Sequence, residues 1–126
     1  MWRIRVKFEH AGEVIVELID RNPRTRDAFL EIVPFESRAN LWGDEVYFTT
    51  PVEVDLENPQ EIVAIGDVAY WPPGKAMCLF FGRTPISPSV DEIRPASPVN
   101  VFGKIVEGMD VLRRVREGEK LVVEMA

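Results

Sequence analysis

The chain is poor in the residues that most often carry metal and redox chemistry, with one cysteine, Cys78, and one histidine, His10, among 126 residues. A single cysteine excludes an internal disulfide and any cysteine-cluster zinc site. A metal would have to be held by carboxylates, and Asp91-Glu92 is too sparse a group for that, so neither metal nor cofactor is expected. Cys78 stands between Met77 and Leu79 and reads as a small buried hydrophobe rather than a reactive thiol. His10 falls in an expected surface turn. There is no Ser/His/Asp arrangement, P-loop or dinucleotide glycine motif.

Long apolar runs are missing too, and none approaches the roughly 20 residues of a membrane span. The start, Met1-Trp2-Arg3-Ile4-Arg5-Val6, alternates apolar with charged where a secretory leader needs a continuous apolar stretch. No membrane partner and a cytoplasmic location are therefore expected. Positive charge is in deficit, 15 basic against 21 acidic residues for a net charge of -6, which argues against nucleic acid as a partner. Arg113, Arg114 and Arg116 alternate with Glu107, Glu117 and Glu119 and read as a solvated helix face. One glutamine and four asparagines beside 29% charged residues are the bias expected of a thermophilic source. Oligomeric state has no signature in the sequence.

What is present is a hydrophobic fraction of 46%, enough for one core, and no repeat or linker, so residues 1–126 read as a single domain. Trp2, Ile4, Val6 and Phe8 alternate with charged residues in a first strand. A turn at His10 to Glu13 leads to a second strand with Val14, Val16 and Leu18 inward. Pro23 suits the first turn of a helix capped by Asn22 or Thr25, with Ala28/Ile32 and Phe29/Val33 as its stripe and Pro34 as its end. Strands follow on both sides of a Trp42-Gly43-Asp44 turn, placing Glu45 and Tyr47 on one face and Val46 and Phe48 on the other. Val52, Val54 and Leu56 alternate with acids, as in a half-exposed edge strand. The central stretch, Gly66 to Pro85, is two apolar strands around a Pro72-Pro73-Gly74 corner, with Tyr70-Trp71 entering and Phe80-Phe81 leaving. Residues 85–98 are Pro- and Ser-rich and read as a long loop, of the kind that is often functional in small domains. A strand over 99–106 precedes a helix opening at Gly108-Met109-Asp110, with Met109, Leu112 and Val115 inward and Gly118 as its terminator. Leu121, Val123 and Met125 end in a last strand. About eight mostly adjacent strands with two short helices predict a mainly β fold, an antiparallel eight-stranded barrel closed to avoid open edges.

At Asn100-Val101-Phe102-Gly103-Lys104-Ile105-Val106-Glu107-Gly108-Met109-Asp110-Val111 the chain resembles the cyclophilins, in which a Val-Phe-Gly-Lys-Val strand leads through Glu-Gly-Met into the second helix. Gly12 to Leu18, with Asn22-Pro23-Arg24-Thr25 and Phe29, resembles the first hairpin and helix of that family, and Leu79-Phe80-Phe81 with Thr84 its Gln-Phe-Phe strand. Together these pieces cover most of the chain. Trp42-Gly43-Asp44-Glu45 and Gly66 to Lys75 are similar to a short prokaryotic group of cyclophilin-like proteins without assigned function. The resemblance implies an eight-stranded barrel capped by two helices. It also implies peptidyl-prolyl isomerisation, which needs an arginine on a Phe-His-Arg strand, and here the chain departs. The corresponding stretch is Glu36 to Trp42, Val46 to Thr50 replaces the Phe-Met-X-Gln-Gly-Gly strand, and Val99 stands near the place of the pocket histidine.

The fold carries over without its catalytic set, and fold alone does not license function. The candidate ligand-binding residues are Trp42, Glu45, Tyr47, Tyr70, Trp71, Pro73, Phe81 and Arg83, on the face where cyclophilins bind peptide. They predict an aromatic cleft for a small molecule or a peptide. The same rings would equally serve as core, with Glu45 and Arg83 as a structural ion pair. The alternative reading is a divergent isomerase using a relocated arginine, Arg38 or Arg83. A third is an enzyme with Glu45 and Tyr47 as acid/base groups.

Overall fold

The structure, a computed structural model, describes residues 2–126. Strand β1 (Arg3–Phe8) and strand β2 (Glu13–Leu18) form the expected hairpin, with Val6 opposite Val14 and Phe8 N–H donating to Gly12 O at 2.9 Å. Helix α1 (Pro23–Ile32) follows, then β3 (Phe35–Arg38), β4 (Asn40–Leu41) and β5 (Glu45–Thr49). The central stretch gives β6 (Asp67–Trp71), a 3₁₀ turn at Pro72–Gly74 and β7 (Ala76–Phe80). The chain ends with β8 (Asn100–Glu107), a 3₁₀ helix (Met109–Arg114) and β9 (Lys120–Met125). Every pairing is antiparallel, in the order β3-β9-β1-β2-β8-β6-β7-β5-β4.

The first and last strands of that order are one run of chain. β3 pairs with β9, β4 pairs with β5, and the switch falls at Ala39, which exchanges backbone hydrogen bonds with Glu119 (2.9 Å) and Gly118 (2.7 Å). One bent segment thus ties both ends of the sheet together and leaves little free edge. Ser37 Oγ, donating to Thr49 O at 2.6 Å, bridges the remaining seam between β3 and β5. Nine strands form where about eight were expected, and the barrel is the same.

Alternation along the strands sorts two cores. Ile4, Val6, Val14, Val16, Val46, Phe48, Val68, Met77, Leu79 and Phe102 fill the barrel, and Phe29 of α1 closes one end by stacking on Phe102 at 4.4 Å. All of β7 is buried, because its outward residues Ala76, Cys78 and Phe80 lie under a second cluster. Val63, Ile93 and Val99 supply that cover from the long loops on the outer face of β6, β7 and β8.

Four local expectations are corrected. Residues 52–57 form no strand, since side chains rather than a partner strand satisfy the backbone: Asn100 Oδ1 accepts from Glu57 N–H (2.9 Å), Asn100 Nδ2 donates to Asp55 O (3.0 Å) and Tyr70 Oη donates to Val52 O (2.7 Å). Neither Asn22 nor Thr25 caps α1 with its side chain. Glu57 does so from across the loop, accepting from Arg24 N–H (3.1 Å) and Thr25 N–H (3.2 Å), where the helix dipole favours a carboxylate. Asn22 is instead spent on Val101 O and Asn58 N–H, at 2.7 Å each. The stripe of α1 is Thr25 and Phe29 with Ala28 and Val33 partly buried against the core, while Ile32 stays 39% exposed. The second helix is a 3₁₀ segment ended at Val115, with Gly118 in the later turn before β9. Among the described residues no helix is long and apolar enough to cross a membrane.

Candidate functional site

Strand β5 sends Val46 and Phe48 into the barrel and so turns Glu45 and Tyr47 outward. Register with β7 sets Glu45 opposite Phe80 and Tyr47 opposite Cys78, so Cys78 lies diagonal to Glu45 on the same face. Trp71 arrives from the end of β6, and its indole Nε1 donates to Ser97 Oγ at 2.6 Å, which ties the ring to the Pro/Ser-rich loop. That loop covers the face and supplies Pro95, Ala96 and Val99 as the opposite wall. Trp42 completes the rim. Its turn is pressed against residues 83–85, where a Cβ on Gly43 (φ +60) would meet Arg83 O at 2.8 Å, so a glycine is required. The eight residues Trp42, Glu45, Tyr47, Trp71, Cys78, Pro95, Ala96 and Val99 line a partly open cavity of about 270 Å³.

Glu45 sets the electrostatics of this cavity. It is only 5% exposed, and its Oε1 is buried without a hydrogen-bond partner. Burial pushes its carboxyl up to about 7; the Cys78 thiol, directed at Ala76 O at 3.9 Å, offsets little of that. Burial, reinforced by Glu45, raises the Cys78 thiol in turn, which keeps it uncharged. Glu119 shows that burial alone does not decide such a pKa. It is 7% exposed, yet its carboxylate accepts from His10 N–H (2.8 Å), Ala11 N–H (2.8 Å) and Arg116 N–H (3.1 Å). Desolvation pushes Glu119 up, and these bonds together with His10 outweigh it and bring the carboxyl below the ordinary range. One glutamate is stabilised as an anion. The other is not.

Four of the eight expected residues meet here: Trp42, Glu45, Tyr47 and Trp71. Tyr70 and Phe81 point into the barrel instead, each one residue out of phase with an outward neighbour. The Tyr70 ring packs edge-on to Phe29 at 6.0 Å, and Arg113 lies over Phe81 at 5.3 Å. Pro73 is exposed at the corner, on a separate hollow with Leu56, Pro72, Ser97 and Pro98. Arg83 is exposed and donates twice to Ser87 O, at 3.1 and 3.0 Å, and makes no ion pair with Glu45. Arg38 donates to Gly118 O at 3.1 Å beside β9, so neither relocated arginine lines the cavity. Cys78, Pro95, Ala96 and Val99 were not among the expected residues. The alternation of β7 carries the signal for Cys78, two residues from the outward Phe80, and the resemblance marks Val99 near the place of the pocket histidine, whereas nothing local marks Pro95 and Ala96.

Two other features weigh less. A larger hollow of about 680 Å³ on the outer face of β1, β9 and β3 is lined by Lys7, Glu9, Glu36, Arg38, Lys120 and Glu124, charges of both signs on a solvated surface. Among the described residues no group of three His, Cys, Asp or Glu side chains is placed to hold a metal ion.

Comparison with known proteins agrees with the barrel. The Cyclophilin-like family model matches residues 2–124. The solution structure of the hypothetical protein AF2241 from Archaeoglobus fulgidus superposes with a TM-score of 0.85 at 54% sequence identity, covering 99% of this chain and 95% of that one. A search of curated proteins finds no match. The chain belongs to the Cyclophilin-like family.

Proposed function

We propose that the protein binds a small molecule, or a short peptide segment, in the cavity between Trp42, Trp71 and the loop carrying Pro95 and Ala96, and that it is not a proline isomerase. The observation that carries this reading is Glu45: a buried carboxyl oxygen without a partner, on the wall of an aromatic-lined cavity. A polar group is rarely left unpaired in a packed interior without a role, because the cost is about 1–3 kcal/mol. The cavity, about 270 Å³, lies at the small end for ligand pockets and suits a compact ligand or one peptide side chain. No arginine lines it, so the amide-polarising group of an isomerase has no counterpart at this wall.

The test uses the protein's own tryptophans. Trp2→Phe removes the exposed indole and leaves Trp42 and Trp71 as reporters. Compact aromatic fragments and proline-containing tetrapeptides are screened by fluorescence and by the rise in melting temperature that a native-state ligand produces. The expected result is at least one saturable response, abolished by Ala96→Arg, which fills the mouth from an exposed wall position. Responses that survive Ala96→Arg, or none across the set, contradict the reading.

A further inference from the structure

The chemistry of this cavity is one-sided. Trp42, Tyr47 and Trp71 contribute three aromatic side chains, and Glu45 is the only charged residue of the lining. No lysine or arginine reaches it, and the Trp71 N–H, the donor an anion would need, is already bound to Ser97. Aromatic faces are negative above and below the ring and attract cations. A carboxylate with an unpaired oxygen needs a donor. The loop wall, Pro95, Ala96 and Val99, is uncharged, and the neighbouring Arg94 pairs with Glu92 at 2.7 Å.

Resting on the reading of this cavity as a binding site, we infer that its ligand is a small organic cation with N–H donors. Its chemical class is a protonated primary or secondary amine, or an amidinium group, on one compact ring or short chain. The charged head pairs with the Glu45 carboxylate at the cavity wall and the body lies among Trp42, Tyr47 and Trp71. An anionic ligand would meet Glu45 with no cation to offset it. A neutral ligand would fill the volume and leave the carboxyl unsatisfied.

Binding is coupled to a proton. The elements packed on Glu45 bring two other titratable groups to the cavity, Cys78 from β7 and Tyr47 from its own strand, while Trp42, Phe80 and the loop residues bring none. The Cys78 thiol is held well above its ordinary range and stays neutral. A cation therefore displaces the proton of Glu45, and cation affinity falls as the solution is made more acidic.

The test is an amide-resolved NMR titration of the full chain with benzamidine, its neutral isostere benzamide, and benzoate. Benzamidine is expected to bind at least about ten-fold more tightly than benzamide at pH about 8, with shifts at Trp42, Tyr47, Trp71 and Ala96, and benzoate most weakly. Glu45→Gln is expected to bring benzamidine to within about two-fold of benzamide, both measured on the variant. In the wild-type chain the preference should shrink about ten-fold at pH about 5.5, a readout that stands even where the variant folds poorly. Benzamide binding as tightly as benzamidine overturns the cation inference and leaves the cavity a binding site. Absence of shifts at the cavity with every probe at about 10 mM overturns both.

Discussion

Phe29→Ala is expected to cost about 3–5 kcal/mol and to lower the melting temperature by roughly 15 °C. Helix α1 has ten residues, too few to hold itself together in water, so its attachment to the barrel decides whether it forms. Phe29 makes that attachment. It is fully buried, stacks on Phe102 at 4.4 Å and 10°, meets Tyr70 edge-on at 6.0 Å and lies 6.3 Å from Phe35. Truncation leaves a ring-sized void bounded by three strands and a helix, and a closed barrel cannot collapse to fill it. Trp2→Ala, at a site 56% exposed, is the control and is expected to cost less than about 1 kcal/mol in the same chemical denaturation series. Equal losses for the two variants would mean that α1 is not anchored through this ring.

The second large effect is a pH dependence. Glu45 keeps its proton in the folded chain up to about 7, whereas its ordinary value is 4.5. Between these values the folded state holds a proton that the unfolded state has released, so stability from this group is fully present below 4.5 and is lost as pH rises through about 7. The size is on the order of 3 kcal/mol, from the gap between the two values. Glu45→Gln removes this term alone. The stability of the variant relative to the wild-type chain should therefore rise by about 3 kcal/mol between pH about 4 and about 8, measured by urea denaturation. Glu119 works in the opposite sense: its stabilisation is present above the ordinary carboxylate range and is lost as pH falls through its lowered pKa. Because Glu119 is common to both chains it cancels in the difference. Parallel stability curves would contradict a buried, unpaired Glu45.

Much of the barrel is legible in the sequence because alternation is a local property. Ile4, Val6, Val14, Val16, Leu18, Val46 and Phe48 all face inward as their spacing predicts. The same logic read a strand into Val52 to Leu56, where Val52 is buried, but a strand also needs a partner, and here Asn100 and Tyr70 replace it with side chains. The cap of α1 is likewise non-local, since Glu57 reaches the helix from across the loop. The site was half legible. Glu45 and Tyr47 share a face by parity, and Trp71 takes the face that Tyr70 leaves; Tyr70-Trp71 and Phe80-Phe81 are adjacent in sequence, but neighbours in a strand point opposite ways. Pro95 and Ala96 reach the cavity only through the path of a long loop, which no local pattern encodes.

The site stands or falls on the protonation state of one side chain, which side-chain carboxyl NMR reads directly. In a pH titration of the glutamate carboxyl resonances, one resonance, lost in Glu45→Gln, should titrate with a midpoint of about 7. A Glu45 resonance titrating near its ordinary value of 4.5 would mean that the carboxyl is solvated or paired, and the cavity would lose its anchor.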